Sequence, residues 1–172
     1  KDFKEVIEYT FTINSDLGIP IELITKPHPK YDHNGSLNLV DGIKGAIPWK
    51  GSEWLGFQEN EIELIIDLEK KEDVSLIEIG FLEDNGSWIY LPEQISTWVS
   101  ADKNSWTQTD KTDIDPNQMK GHVFQTLINK EARYIKVKIK AMEVIKDGQE
   151  GAGHTPWTFI DEIEILYQYE WK

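Results

Sequence analysis

Residues 61–68 read EIELIIDL, and residues 134–140 read YIKVKIK. In both stretches an apolar residue recurs at every second position, and in the second stretch Lys fills the positions between. Side chains of a β-strand point alternately to opposite faces, so each stretch predicts a strand with one apolar face. That face needs a partner layer that shields it from water, so the two strands predict a packed β-sheet protein.

The rest of the chain carries the same period-two pattern, which predicts further strands at Val6–Ile13, Ile19–Thr25, Val74–Leu82, Ile95–Ala101, Val123–Ile128 and Ile160–Tyr167. Turn sequences such as SDLG, HNG, DNG and DPN separate them. No amphipathic stretch is long enough for a typical helix. About eight short strands with one apolar face each predict an all-β, antiparallel β-sandwich of the jelly-roll kind. The long irregular segments Pro27–Gly56 and Asp102–Gly121 are expected at its ends, where loops usually carry function.

Composition and net charge limit the classes of partner that the chain is expected to bind. The chain has 172 residues, which fits a single domain, and a formal net charge of −13 at pH 7. This charge repels phosphate groups and disfavours nucleic acids and anionic membranes as partners. Cys is absent, so no disulfide can form. No apolar run reaches the ~18 residues of a membrane span. The start KDFKEV, without Met, indicates a mature or excised piece that no longer carries a targeting signal.

Catalytic motifs are missing from the sequence. GxSxG, HExxH, the P-loop pattern and GxGxxG do not occur. The four histidines are not spaced as zinc ligands. No pair of acids is distinguished as the two carboxylates that a glycosidase needs. The sequence therefore predicts a domain without an activity of its own.

Two acidic segments suggest a cation site. The first is Leu39-Val40-Asp41-Gly42 and the second is Asp161-Glu162-Ile163-Glu164 in the last predicted strand. Calcium prefers six to eight oxygen ligands, many of them backbone carbonyls of a curved loop, completed by carboxylates. A loop near Asp41 closed by Glu162 would meet that requirement. The alternative is an ordinary turn Asp and a solvated strand Glu.

Tryptophans gather in or beside the predicted loops. Trp49 and Trp54 belong to PWKGSEWLGF, Trp88 belongs to EDNGSWIYLP, and Trp157 belongs to GAGHTPWTF. Flat aromatic rings stack well on the C–H faces of sugars. Polar neighbours that could bind hydroxyl groups are Glu53, Asp84, Asn85 and His154. The alternative is that the rings plug the ends of the sandwich.

Several of these blocks together resemble one family. They are LVDGIKG (39–45) followed by WLGFQ (54–58), GFLED (80–84), GSWIYLP (86–92), and GAGH (151–154) with Trp157 and IDEI (160–163). The set is similar to the C-terminal discoidin-like module of family 20 β-N-acetylhexosaminidases of Bacteroidetes, which is related to the C domains of coagulation factors five and eight. The resemblance spans about residues 29–166. Residues 1–25 are expected to be either first strands or a linker, within a single domain of residues 1–172.

The resemblance implies a galactose-binding-like jelly roll that binds a glycan beside a catalytic domain of the same polypeptide, outside the cytoplasm. It implies a structural calcium held by Asp41, Glu162 and backbone carbonyls of the loop that begins at Leu39. The ligand surface that it implies comprises Trp54, Asp84, Trp88, His154 and Trp157. Arg133 is a departure: sugar-binding relatives often place an Arg at the ligand, whereas the only Arg here begins a strand.

Two other functions remain open at this point. The apolar block GSWIYLP could instead cover a neighbouring catalytic domain, which would make the chain a structural module that binds no sugar. An autonomous enzyme would need a deep pocket with coupled carboxylates.

Overall fold

The computed structural model describes residues 17–168. The predicted strand Val6–Ile13 lies outside this range. The described strands are β1 (Ile21–Leu23), β2 (Leu55–Phe57), β3 (Glu61–Leu82), β4 (Gln94–Ser100), β5 (Thr107–Asp113), β6 (Val123–Lys140) and β7 (Thr158–Tyr167). Helical structure in this range consists of four short 3₁₀ turns, at Pro29–Tyr31, Gly35–Leu39, Asn85–Ser87 and Pro116–Gln118. None of these described helices is long and apolar enough to cross a membrane.

The two longest strands, β3 and β6, form the centre of the fold. They pair antiparallel from Glu61 opposite Lys140 to Gly80 opposite Val123, with a register shift between Asp67 and Glu72. Within that irregularity Glu69 adopts a positive φ of 64°, and its amide donates to Asp67 Oδ1 at 2.8 Å. A break of this kind bends both strands, because the hydrogen-bonded ladder is interrupted there.

The bend divides the molecule into two layers. The first half of β3 and the second half of β6 form one layer with β1, β4 and β5. The second half of β3 and the first half of β6 form the other layer with β7 and β2. Every pairing between these strands is antiparallel.

The larger of the hydrophobic clusters among the described residues forms the core between the layers. The first layer contributes buried side chains that include Ile62, Leu64, Ile66, Ile95, Ile135 and Val137. The second layer contributes Ile77, Ile79, Phe81, Phe124, Ile163 and Ile165 to the same cluster. Within β3, β6 and β7 these buried residues recur at every second position, as the sequence pattern predicted. The antiparallel β-sandwich predicted from the alternation is therefore confirmed.

The strand predictions differ from the structure in two respects. The four central segments are two continuous strands, because each pair of predicted strands meets at the bend of β3 or β6. Two strands were missed, β2 and β5. The sequence of β5, TQTDKTD, has no apolar residue, so the hydrophobic alternation on which the prediction rested is absent there.

A polar contact joins the layers at the edge. Asp110 of β5 accepts hydrogen bonds from the hydroxyl groups of Thr126 at 2.8 Å and Thr112 at 3.0 Å. Thr126 lies in the first half of β6, in the opposite layer, and is buried. A buried hydroxyl that loses its acceptor is left unsatisfied, so this carboxylate stabilises the closed edge of the sandwich.

Replacing Asp110 with Ala is expected to lower the free energy of unfolding by about 1–3 kcal/mol, because Thr126 would lose its acceptor. Denaturant unfolding followed by tryptophan fluorescence measures the change. Asp147→Ala is the matched control, since Asp147 is exposed and its side chain makes no hydrogen bond with a residue in the described range. Equal unfolding midpoints for the two variants would contradict the role assigned to Asp110.

Candidate functional site

The loop after Val40 is attached to the start of β7 by two carboxylates. Asp161 is fully buried, and its Oδ2 accepts the amide of Gly45 at 2.7 Å. The neighbouring Glu162 accepts the amide of Gly42 through Oε1 at 3.1 Å. These two contacts hold residues 42–45 against the sheet, although most of this loop is exposed.

Glu162 has a polar atom that the protein leaves unsatisfied. Its Oε2 is buried and has no hydrogen-bond partner in the structure. Burial raises the pKa of Glu162 to about 7, and the nearby charges of Asp41 and Asp161 act in the same direction, while the hydrogen bond from Gly42 opposes them. A carboxylate in this position would be stabilised as an anion by a bound cation.

Of the residues predicted to bind calcium with Glu162, Asp41 is near enough for its charge to raise the pKa of that carboxyl. The side chain of Asp41 is exposed, and its Oδ1 accepts the amide of Ile43 at 2.8 Å. The side chain of Leu39 is in the core, so only its carbonyl could be a ligand. The described part of the chain contains no group of three or more His, Cys, Asp or Glu side chains placed to hold a metal. Backbone carbonyls would therefore have to supply several ligands, as the chemistry of calcium allows.

Trp88 is presented by a short, tightly closed loop. The backbone amide of Asp84 donates to the carbonyl of Ile89 at 3.0 Å, and the amide of Ile89 donates to the carbonyl of Asp84 at 3.1 Å. These two hydrogen bonds enclose a single 3₁₀ turn. Trp88 follows that turn in the left-handed region with a φ of 62°. A non-glycine residue there is strained, and such strain often occurs at functional positions. Its carbonyl accepts the amide of Trp157 at 2.8 Å, which ties the loop to the chain before β7.

The indole of Trp88 is fixed but accessible. It stacks on the imidazole of His154, with ring centroids 4.6 Å apart and an angle of 19° between the planes. A Cβ placed on Gly151 would lie 2.6 Å from the indole Nε1, so only glycine permits this close approach of the backbone. The Trp88 residue remains 38% exposed. We call Trp88 and His154 the indole–imidazole stack.

Trp157 lies beside the stack in a cluster of rings. Its ring meets Tyr31 edge to face at 5.0 Å and His28 at 5.2 Å. Tyr31 also contacts Trp49 at 5.8 Å and Phe159 at 4.9 Å. Edge-to-face pairs at these separations are favourable, so the rings support one another. The cluster is continuous with the buried group of Trp54, Leu82, Ile89 and Phe159.

Asp84 is half-buried within the same region. Its Oδ2 accepts the indole N–H of Trp49 at 3.1 Å. The carboxylate therefore orients Trp49 and holds residues 48–50 beside the Trp88 loop. This contact makes Asp84 a positioning residue for the surface.

The structure corrects the prediction for Trp54. This residue is only 1% exposed, and its indole N–H donates to the carbonyl of Ala46 at 3.1 Å. Neither ring face is available to a ligand, so Trp54 supports the loop of residues 42–46 from below. A Gly-rich sequence around a Trp does not distinguish an exposed ring from one that closes the end of a core.

Four of the five predicted ligand-binding residues thus lie in one region: Asp84, Trp88, His154 and Trp157. Sequence reasoning missed Tyr31 and His28 as members, although KPHPKY lies within a segment predicted to be a functional loop. The signal was the presence of two aromatic-type rings next to two prolines and two lysines in an irregular segment. They are more than a hundred residues from Trp157 along the chain, so their contact with it arises only in the folded protein.

Arg133 lies outside this region. Its Nε and a terminal nitrogen donate to the two carboxylate oxygens of Asp67 at 3.1 and 3.3 Å. The guanidinium also lies over the ring of Tyr134 at 4.9 Å. Arg133 therefore braces the bend of β3 and β6 and is not at the candidate ligand surface.

Comparison with known proteins places this geometry in context. The sequence profile described as F5/8 type C domain matches residues 24–163. None of the curated proteins matches the chain in sequence.

Solved structures share the fold at low sequence identity. A fucose binding module from Streptococcus pneumoniae is similar with a TM-score of 0.61 and 18% identity, over 92% of this chain and 100% of that one. CBM32-3 from a family 31 glycoside hydrolase of Clostridium perfringens gives 0.59 and 16%, over 91% and 94%. The C-terminal domain of a chitobiase from Bacteroides fragilis gives 0.55 and 17%, over 90% and 95%.

Gly80→Ala tests the anchoring role of Asp161. A Cβ at Gly80 would overlap Asp161 Oδ1, and Asp161 is buried in contact with Gly45, so the loop of residues 42–45 would be displaced. Overpacking of this kind is expected to cost about 1–3 kcal/mol of stability, measured by thermal or denaturant unfolding. Gly86→Ala is the control, because its Cβ would meet Asp84 Oδ1 at an ordinary 3.6 Å. A Gly80→Ala variant as stable as Gly86→Ala would contradict this role.

Proposed function

This chain belongs to the F5/8 type C domain family, and from that premise we propose that it is a non-catalytic carbohydrate-binding module. The observation that carries the proposal is the indole–imidazole stack, in which an exposed Trp88 is held in one orientation. A rigid ring loses little conformational freedom when a ligand binds, so its contact area contributes efficiently to affinity.

The surroundings of Trp88 suit a sugar. The side chains of His28 and His154 are exposed and can exchange hydrogen bonds with hydroxyl groups, while Trp157 adds a second partly exposed ring. An uncharged sugar ring has an apolar C–H face and hydroxyl groups at its edges. It therefore matches this combination of aromatic and polar side chains. The shared fold of the fucose binding module from Streptococcus pneumoniae is consistent with such a ligand.

The proposed role is to keep glycan close to a catalytic domain of the same polypeptide. A tethered binding site raises the local concentration of substrate even when its own affinity is weak. We further propose that the parent protein is a glycoside hydrolase, specifically a family 20 β-N-acetylhexosaminidase of Bacteroidetes that acts outside the cytoplasm. The blocks LVDGIKG and GSWIYLP support this proposal, as does the likeness to the C-terminal domain of a chitobiase.

Trp88→Ala is expected to weaken saccharide binding by tenfold or more, a loss of about 1.4 kcal/mol, because the stacking surface is removed. Isothermal calorimetry with N-acetylhexosamine, galactoside and fucoside ligands measures the effect. Trp106→Ala is the matched control, since Trp106 lies beneath Lys136 on the outer face of the first layer. Saccharide binding that survives Trp88→Ala unchanged would refute this site.

A second candidate is a structural module that packs on the catalytic domain and binds no sugar. It is favoured by the exposed apolar side chains on the loop of residues 42–48, where Ile47 is 77% and Ile43 is 55% exposed. Absence of binding to every saccharide tested, together with a lower melting temperature of the parent enzyme carrying Ile47→Asp, would favour this candidate. Saccharide binding that depends on Trp88 would exclude it as the sole function.

We propose in addition that a structural calcium ion binds at Glu162, with Asp41 and carbonyls of the loop that begins at Leu39 as the remaining ligands. The buried, unsatisfied Oε2 of Glu162 supports this assignment. The role of the ion would be to neutralise Glu162 and to hold the loop in place; no catalytic step is assigned to it.

Calcium is expected to raise the melting temperature of the protein, because it binds only the folded form. Glu162→Gln should abolish this shift without lowering the melting temperature of the metal-free protein, since the change removes a buried negative charge and keeps the shape. Glu143→Gln, an exposed acid, is the control that should keep the shift. An equal calcium response in Glu162→Gln would overturn the assignment.

A further inference from the structure

The outer face of the first layer carries a second concentration of polar and aromatic side chains. Cross-strand partners on this face form rows, and one row joins Glu63, Lys138, Ser96 and Lys111 across β3, β6, β4 and β5. The adjacent rows contain Trp98 on one side of Ser96 and Gln94 on the other. Neighbours on one face of a sheet lie about 5 Å apart across strands and about 7 Å apart along a strand, so these side chains can contact one ligand.

A groove of about 250 Å³ lies on this face. Its lining is Glu61, Gln94, Ser96, Trp98, Gln108, Lys111, Lys138 and Lys140. Ser96 is the smallest side chain of the set and is buried, whereas Gln108 and Lys111 are exposed. The depression therefore arises where a short side chain is surrounded by long ones.

The charges of the groove are unusual for this protein. The lining has three lysines and one glutamate, on a chain with a net charge of −13. Lys138 is paired with Glu61 and Glu63, each at 2.9 Å, and Lys140 is paired with Glu93 at 2.8 Å. Lys111 makes no ion pair with any residue in the range 17–168, and it lies opposite Ser96 in the register. One ammonium group at the groove is thus available to an anion.

The remaining lining has the chemistry of a saccharide site. The half-buried Trp98 offers an aromatic surface, and Ser96 offers a hydroxyl group. The amide nitrogens of Gln94 and Gln108 donate to Asp113 Oδ1 at 2.6 Å and to the carbonyl of Asp110 at 3.3 Å, so each amide keeps its oxygen and one N–H for a ligand. The ring of Trp106, by contrast, is covered by the ammonium of Lys136 at 4.2 Å. Trp98 is therefore the aromatic residue of this face that lines the groove.

We propose that this groove is a second saccharide-binding site, selective for an acidic saccharide such as a uronate, whose carboxylate pairs with Lys111 while a sugar ring packs on Trp98. The site is on the sheet face and uses none of the residues of the indole–imidazole stack. It goes beyond the proposed function, because it adds a site on another face of the domain and a charged partner, Lys111, that selects an acidic glycan.

The test is calorimetric titration with trigalacturonate and with neutral cellotriose of equal length, in chelator-treated buffer because uronates bind divalent cations. We expect trigalacturonate to bind, cellotriose to bind at least tenfold more weakly, and affinity for trigalacturonate to fall with added salt as the charge interaction is screened. Lys111→Ala should lower affinity for trigalacturonate tenfold or more. This change should leave folding intact, since Lys111 is exposed on an edge strand and makes no ion pair within the described residues.

Two further variants separate this site from the loop region and from loss of folding. Trp98→Ala should abolish binding of trigalacturonate. Ser96→Ile should do the same, because the larger side chain fills the groove and the Ser96 hydroxyl is lost. Both melting curves must stay cooperative. Trp88→Ala should leave this binding unchanged, so failure at one site is distinguishable from failure at the other. Absence of trigalacturonate binding, equal binding of cellotriose, or affinity unchanged in Lys111→Ala and Ser96→Ile would each overturn the proposal.

Discussion

The rest of the structure depends on the paired bend of β3 and β6. The pairing of the two strands shifts register between Asp67 and Glu72 of β3 and then continues, so that one antiparallel pair supplies the central strands of both layers. The bend brings the apolar faces of the two halves together over a common core. Arg133 holds Asp67 at this point through two hydrogen bonds, which leaves its guanidinium committed to the fold.

The position of the candidate site follows from this arrangement. In the second layer β7 pairs with β3, and Gly80 of β3 leaves room for the buried carboxylate of Asp161. That carboxylate and Glu162 hold the loop of residues 42–45, while Trp54 supports it from within the core. The chain before β7 carries Trp157 and His154, and its hydrogen bonds to the Trp88 loop place the exposed indole beside them.

Two surfaces of the domain combine an aromatic ring with polar groups, and they differ in charge. At the loops, Trp88 and Trp157 are surrounded by histidines and by other rings. On the outer sheet face, Trp98 lies among amides and lysines, one of which has no acidic partner in the described structure. Two of the three lysines at alternate positions of YIKVKIK, Lys138 and Lys140, also line this groove.

The amino-acid pattern alone was sufficient for the layered β architecture, because burial of alternate residues is a local property of each strand. It also identified the segments of the acidic turn and of Trp88, through short blocks such as LVDGIKG and GSWIYLP. It could not rank the tryptophans: Trp54 and Trp88 occur in similar Gly-containing segments, yet one is sealed in the core and the other is exposed. Nor could it find β5, whose polar residues pair with β4 without an apolar face, or the contact of Tyr31 with Trp157. These features depend on which distant segments meet, and that is decided by packing in three dimensions and not by the neighbours of a residue along the chain.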